Sequence, residues 1–107
     1  MRHLVIGGAG FIGCNVADHF AARGDQVVVF DNFSRRGAFL NARWLLERHP
    51  RLQVESGDVR LDLAKLEHLV GVADVVYHLA AQVAVTTSVA NPREDFEVNA
   101  LGTFNVL

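Results

Sequence analysis

Little in this 107-residue chain can be crosslinked, chelated or threaded through a membrane. Cysteine occurs once, at Cys14, so no intramolecular disulfide can staple the fold, and a reducing, cytoplasmic setting is expected. Following a glycine at the start of a helical stretch, Cys14 reads as a small packing residue rather than a redox group. No apolar run approaches the ~18 residues of a membrane span, and Met1-Arg2-His3 leads into a strand too short for a signal-peptide core. The net charge of −2 and a single adjacent basic pair, Arg35-Arg36, leave no basic footprint for nucleic acid. The five histidines, His3, His19, His49, His68 and His78, fall without metal-ligand spacing, and one cysteine cannot build a zinc cluster. No Gly-x-Ser-x-Gly elbow is present for nucleophilic catalysis. What is abundant is apolar: 50% of residues are hydrophobic against 21% charged, enough for one buried core.

The richest segment is Val5-Ile6-Gly7-Gly8-Ala9-Gly10-Phe11-Ile12-Gly13. Glycines between an apolar run and a helical stretch let the chain turn sharply off a strand and approach a bulky anion. The following helix N-terminus offers unpaired N–H groups and a positive dipole end to a pyrophosphate. Downstream, Val27-Val28-Val29-Phe30-Asp31 is a strand ending in a carboxylate, where a ribose-binding acid belongs in a dinucleotide-binding βαβ unit. Asp31 would accept the ribose hydroxyls and repel a 2′-phosphate, which favours NAD over NADP; the alternative is a loop or helix cap. Arg35 and Arg36 pull the other way, since an arginine there can hold that phosphate.

Short β-branched runs alternate with helical stretches. Strands are expected at 3–6, 26–30, 52–55 and 74–79, and helices at 11–23, 38–49 and 61–70, with a last helix from about Pro92 onward. Gly24 closes the first helix and Pro50 follows the second. In that second helix, Phe39, Leu40, Trp44 and Leu45 fall at helical spacing and are expected to face the sheet. This order requires a parallel sheet with right-handed crossovers. The fold class is therefore α/β, an incomplete doubly wound Rossmann fold of about four parallel strands with flanking helices, within one domain.

Asp58, in Gly57-Asp58-Val59 after the third strand, stands where it could reach an adenine amino group or simply make a turn. His78-Leu79-Ala80-Ala81-Gln82 lies near the expected switch in strand order, with His78 read as a hydrogen-bonded core residue. Thr86-Thr87-Ser88 could bond a sugar or phosphate, or start a helix.

Together these residues resemble the extended short-chain dehydrogenase/reductase family of NAD-dependent nucleotide-sugar epimerases and dehydratases. The glycine run matches that family's motif, with Ile6 where threonine is common. Asp31-Asn32, Gly57-Asp58-Val59, His78-Leu79-Ala80-Ala81, and Asn99 with Gly102-Thr103 match its later signatures in order. Residues 30–38 and 82–88 are similar to the CDP-paratose (CDP-tyvelose) 2-epimerase subfamily. The resemblance implies cofactor contacts at Gly7, Gly10, Phe11, Ile12, Gly13, Asp31, Asn32, Ser34, Arg35, Asp58, Val59, Leu79, Ala80, Gln82 and Asn99. It places Thr87 and Ser88 near a nucleotide-sugar substrate.

The resemblance further implies epimerisation by transient hydride transfer to NAD, a tyrosine base with a lysine four residues on, and in many members a homodimer. The only tyrosine is Tyr77, with Ala81 four residues later, and the only lysine is Lys65. The catalytic pair is thus expected on sequence beyond these 107 residues, and the chain alone is expected to be inactive. A stand-alone NAD-binding half-domain is the competing reading. A dehydratase, 4-epimerase or NADP-linked reductase of the same family is another.

Overall fold

The computed structural model describes residues 1–34, 37–80, 93 and 101–107. Four strands, β1 (Arg2–Ile6), β2 (Gln26–Asp31), β3 (Gln53–Ser56) and β4 (Val75–His78), alternate with α1 (Phe11–Ala22), α2 (Ala38–Arg48) and α3 (Leu63–Val72). A short helix, α4 (Gly102–Val106), lies at the carboxyl end. All strand pairs are parallel, in the order β3-β2-β1-β4. The chain therefore steps outward from β1 to β3, then crosses back over β1 to lay down β4 on its other side. The crevice outside the carboxyl ends of β1 and β4, where the direction reverses, is where open α/β sheets take their ligands.

Because β1 is central, both its faces are covered, and Leu4, Val5 and Ile6 are at most 1% exposed. Alternate side chains then sort into two cores. Val5, Val27 and Val29 pack with Cys14 and Ala17 of α1 and Leu45 of α2. Leu4, Ile6 and Phe30 pack with Leu66 and Leu69 of α3, and Val106 of α4 joins them. Cys14 is a packing residue as expected, and burial raises its thiol pKa. His3, the one buried polar side chain among the described residues, is satisfied by Asp25 at 2.9 Å and stacks on Phe20 at 4.1 Å.

The elements differ from expectation by one or two residues at most ends. The third helix starts later because Asp62 Oδ2 accepts the Asp58 N–H, and the Leu61 and Asp62 amides fold back onto the Asp58 carbonyl. A larger correction concerns α2. Phe39, Leu40 and Trp44 do not face the sheet: Phe39 is 74% and Leu40 69% exposed, while Ala38, Ala42 and Leu45 are buried. In the inward stripe at 38, 42 and 45, Ala38 and Ala42 are small and let the helix sit close, while Leu45 fills the core. The large ones lie to the side, Phe39 stacked on Phe33 and Trp44 under the Arg48 guanidinium. Most of the expected last helix lies outside the described residues. Among the described residues, no helix is long and apolar enough to cross a membrane.

This assignment of faces is checked by two truncations of equal size. Leu45→Ala should lower unfolding free energy by about 2–5 kcal/mol in urea. Leu40→Ala should stay within about 0.5 kcal/mol of the parent. The opposite ranking would overturn the orientation of α2.

Candidate functional site: the carboxyl end of the sheet

β1 ends at Ile6, and the chain turns at once. Gly7 has φ +81°, a left-handed conformation that disfavours a side chain, and its N–H donates to the Phe30 carbonyl at 2.7 Å. A Cβ on Gly7 would also lie 2.8 Å from the backbone of Leu79 and Ala80, so glycine here admits the chain leaving β4. Gly13 works differently. A Cβ there would stand 2.7 Å from Gly8 Cα and closer still to the Gly7 carbonyl, so its bareness lets α1 lie against the end of β1. Gly10 is the N-cap of α1, and a Cβ on it would meet only the Gly7 carbonyl oxygen, at 3.3 Å.

The start of α1 is bare in a second sense. It has no side-chain cap and no acidic residue in its first turn. Among the described residues, its first amides, at Phe11, Ile12 and Gly13, have no side-chain cap and no first-turn acid at the positive end of a 12-residue helix. A helix N-terminus of this kind suits an anion. Phe11 and Ile12 are 80% and 65% exposed, so their side chains do not close it.

Asp31, at the end of β2, faces this turn. Its Oδ2 accepts the Ala9 N–H at 3.0 Å and its Oδ1 the Phe33 N–H at 2.8 Å. The capping role foreseen as the alternative is thus real. It leaves capacity for ribose hydroxyls as well, because a carboxylate offers about four acceptor positions. Beyond it the chain bends sharply: Phe33 has φ +59°, and Asn32 Oδ1 accepts the Ser34 N–H at 3.0 Å.

Asp58 lies at the same end of the sheet, beyond β3. The Arg60 guanidinium grips it from two nitrogens, Nη2 at 2.8 Å and Nε at 3.0 Å, and holds its carboxyl below the usual range. Any adenine amino group would share that carboxylate with Arg60. Val59 is buried, and its carbonyl accepts Asn105 Nδ2 at 2.9 Å. Leu79 and Ala80 follow β4 beside Gly7, the Leu79 N–H bonded to the Ile6 carbonyl. The structure thus brings Gly7, Gly10, Phe11, Ile12, Gly13, Asp31, Asn32, Ser34, Asp58, Val59, Leu79 and Ala80 to one end of the sheet. Arg35, Gln82, Thr87, Ser88 and Asn99 lie outside the described residues.

Sequence reasoning missed three contributors. Gly8 is buried with no room for a Cβ beside Val29; Asn41 of α2 donates to the Ala9 carbonyl at 2.7 Å; and Asn105 ties α4 to the turn after β3. Both asparagines act across more than thirty residues, so no local pattern marks them. His78 is half-buried, with Nε2 at 2.9 Å from Thr103 Oγ1 and Nδ1 without a hydrogen-bond partner among the described residues. Tyr77 is not in the crevice. It packs on Phe20 under α1, its hydroxyl 3.5 Å from His3 Nδ1.

A parallel sheet that reverses strand order beside a helix N-terminus and a strand-end acid defines the class: a doubly wound, Rossmann-type fold. A profile of the family described as GDP-mannose 4,6 dehydratase matches residues 4–107, and the chain belongs to that family of nucleotide-sugar epimerases and dehydratases. Among its curated relatives is CDP-paratose 2-epimerase of Salmonella typhi, 42% identical over all of this chain, which covers 32% of that protein. Among solved structures, UDP-glucose 4-epimerase of Stenotrophomonas maltophila with bound NAD superposes with a TM-score of 0.87 at 27% identity, covering 99% of this chain and 32% of that one. The Thermus thermophilus UDP-glucose 4-epimerase complex with NAD gives 0.81 at 38% identity, covering 99% and 32%. The chain spans between about a quarter and a third of the length of the curated relatives it matches first.

Two measurements test this geometry. Gly13→Ala should cost about 1–3 kcal/mol of stability by overpacking α1 against β1, read from urea midpoints; a neutral effect would refute the close approach. Burial pushes the His78 pKa below the ordinary histidine value. The folded state therefore binds fewer protons than the unfolded chain, so this contribution is full above about pH 6.5 and is lost as pH falls toward the folded value. His78→Gln should flatten the loss of stability between about pH 6.5 and 5, a window above the ordinary carboxylate range. An equally steep loss in the variant would refute it.

Proposed function

We propose that this chain is the NAD-binding, amino-terminal part of a nucleotide-sugar epimerase of the CDP-paratose 2-epimerase kind, acting by transient hydride transfer. The observation that carries the reading is the juxtaposition of an uncapped helix N-terminus with the Asp31 carboxylate, across a turn whose glycines leave room for a ligand. The residues present suit a dinucleotide at both ends of its adenosine diphosphate half. Amides at the start of α1 would receive the pyrophosphate, and Asp31 would take the ribose hydroxyls. Asn32, Ser34 and Arg35 would border the adenosine, with Asp58 and Val59 at the adenine. Leu79, Ala80, Gln82 and Asn99 would line the remainder, and Thr87 and Ser88 would lie near the sugar of the substrate.

When bound, NAD would supply reversible hydride acceptance at the sugar carbon whose configuration changes. What this chain contributes is binding and orientation. Its one tyrosine is engaged in the core under α1, away from the crevice, so the proposed base belongs to sequence beyond these residues. Two features support that division. Among the described residues β4 pairs only with β1, and a groove of about 520 Å³ lies beside it, lined by Phe11, Ile12, Phe20 and Tyr77 among others. Both suit further elements of a longer polypeptide. A 4-epimerase or 4,6-dehydratase reaction is the second reading, favoured by the family description and the UDP-glucose 4-epimerase superpositions.

Calorimetry with NAD tests the proposal. The chain should bind NAD more tightly than NADP, and Asp31→Ala should weaken NAD about tenfold or more, the usual worth of hydrogen bonds to a charged group. Absence of NAD binding, or an unchanged affinity in the variant, would sink the assignment. The chain joined to downstream sequence carrying a Tyr-x-x-x-Lys pair should interconvert CDP-paratose and CDP-tyvelose, whereas conversion of UDP-glucose instead would select the second reading.

A further inference from the structure

The turn between β1 and α1 is held from outside by a residue that no glycine motif includes. Ala9, at its centre, is fully buried, and the peptide groups on either side of it are held in different ways. The Gly8–Ala9 peptide gives its N–H to Asp31 Oδ2 at 3.0 Å. The Ala9–Gly10 peptide gives its N–H to the Gly7 carbonyl at 3.1 Å, and its carbonyl receives Asn41 Nδ2 at 2.7 Å. Asn41 sits one turn into α2, whose buried Ala38, Ala42 and Leu45 lock the helix against the sheet. The donor is thus fixed by packing elsewhere in the fold.

A planar trans peptide points its C=O and N–H in opposite directions, so holding one end orients the other. With the Ala9 carbonyl drawn to α2, the Gly10 N–H stays on Gly7, and the amides of Phe11, Ile12 and Gly13 follow in helical sequence. Were this peptide to rotate, the partial negative charge of the Ala9 carbonyl would turn toward the start of α1, where a phosphate would meet it as a repulsive group. Glycine at position 10 leaves the backbone free to make that rotation. Gly7 alone holds the other end, through a bond from within the same turn.

We propose that Asn41 is a positioning residue for the phosphate-binding turn: it anchors the Ala9 carbonyl away from the anion site and so keeps the α1 amides aimed at a bound pyrophosphate. This rests on the nucleotide-binding reading above. It assigns α2 a part in binding, through the Asn41 hydrogen bond to the turn. Asn41 and Asp31 bracket Ala9 from α2 and β2, so the phosphate end and the ribose end of the site share one buried residue.

The test uses two variants of the chain. Asn41→Leu keeps bulk without a donor, and Asn41→Asp keeps shape but presents only acceptors to a carbonyl. Both should weaken ADP binding about tenfold in calorimetry, the loss of one buried hydrogen bond, while adenosine, which lacks the pyrophosphate, should change less than about twofold. General destabilisation would not alter that ratio. Equal losses for ADP and adenosine, or none for either, would overturn the proposal. Amide hydrogen exchange at Gly10, measured without ligand, separates this inference from the nucleotide reading. Exchange accelerated about tenfold in both variants supports the anchoring, and unchanged exchange refutes it even if NAD binds. Failure of the unmodified chain to bind ADP would remove the nucleotide reading and the role in binding with it.

Discussion

A side chain at residue 7 or 13 would hold β1, α1 and the end of β4 apart, and the whole carboxyl end of the sheet depends on there being none. Gly7 admits the backbone of Leu79 and Ala80, and Gly13 admits the Gly7 carbonyl. These approaches bring two strand ends and a helix N-terminus within reach of one ligand. The glycines do not share one job. Gly7 supplies a left-handed turn and a passage for β4, Gly13 supplies close helix packing, and Gly10 keeps the start of the helix open.

Asp31, the residue proposed to take the ribose, already has a structural part. In this structure it braces the turn through the Ala9 N–H and its own loop through the Phe33 N–H, and a carboxylate has acceptor positions to spare. A bound ribose would therefore add to these bonds. The same economy holds on the other side of the sheet, where Arg60 keeps the Asp58 carboxylate charged and in place. Charged groups at this end of the sheet are pre-positioned by neighbours, which lowers the ordering cost that binding must otherwise meet.

The strands of the sheet differ in how far they are covered. Around β1 and β2 both cores close, with Val5 and Val29 sealed under α1 and α2, and Leu4 and Phe30 sealed on the α3 side. At β4 every residue remains partly open, and the apolar groove beside Tyr77 runs along α1. The relatives are about three to four times as long as this chain. A strand with one partner among the described residues, beside an apolar groove, fits the proposal that further polypeptide completes the domain there.

Strand and helix order, the parallel sheet, the glycine turn and the strand-end acid were legible in the sequence, because each follows from short-range chemistry. β-branched runs make buried strands, glycine permits a positive φ, and an acid at a strand end sits at a predictable distance along the chain. Which side of α2 turns inward was not legible. Phe39, Leu40 and Trp44 carry the helical spacing and the hydrophobicity, yet the small residues Ala38 and Ala42 face in, since close packing rewards fit to the available gap over apolar size. Asn41 and Asn105 were equally silent, being ordinary polar residues until the fold sets each against a carbonyl far away in the chain. Local periodicity and turn chemistry determined the elements by themselves; the partners those elements find across the sheet were decided only by tertiary packing, which no spacing along the chain encodes.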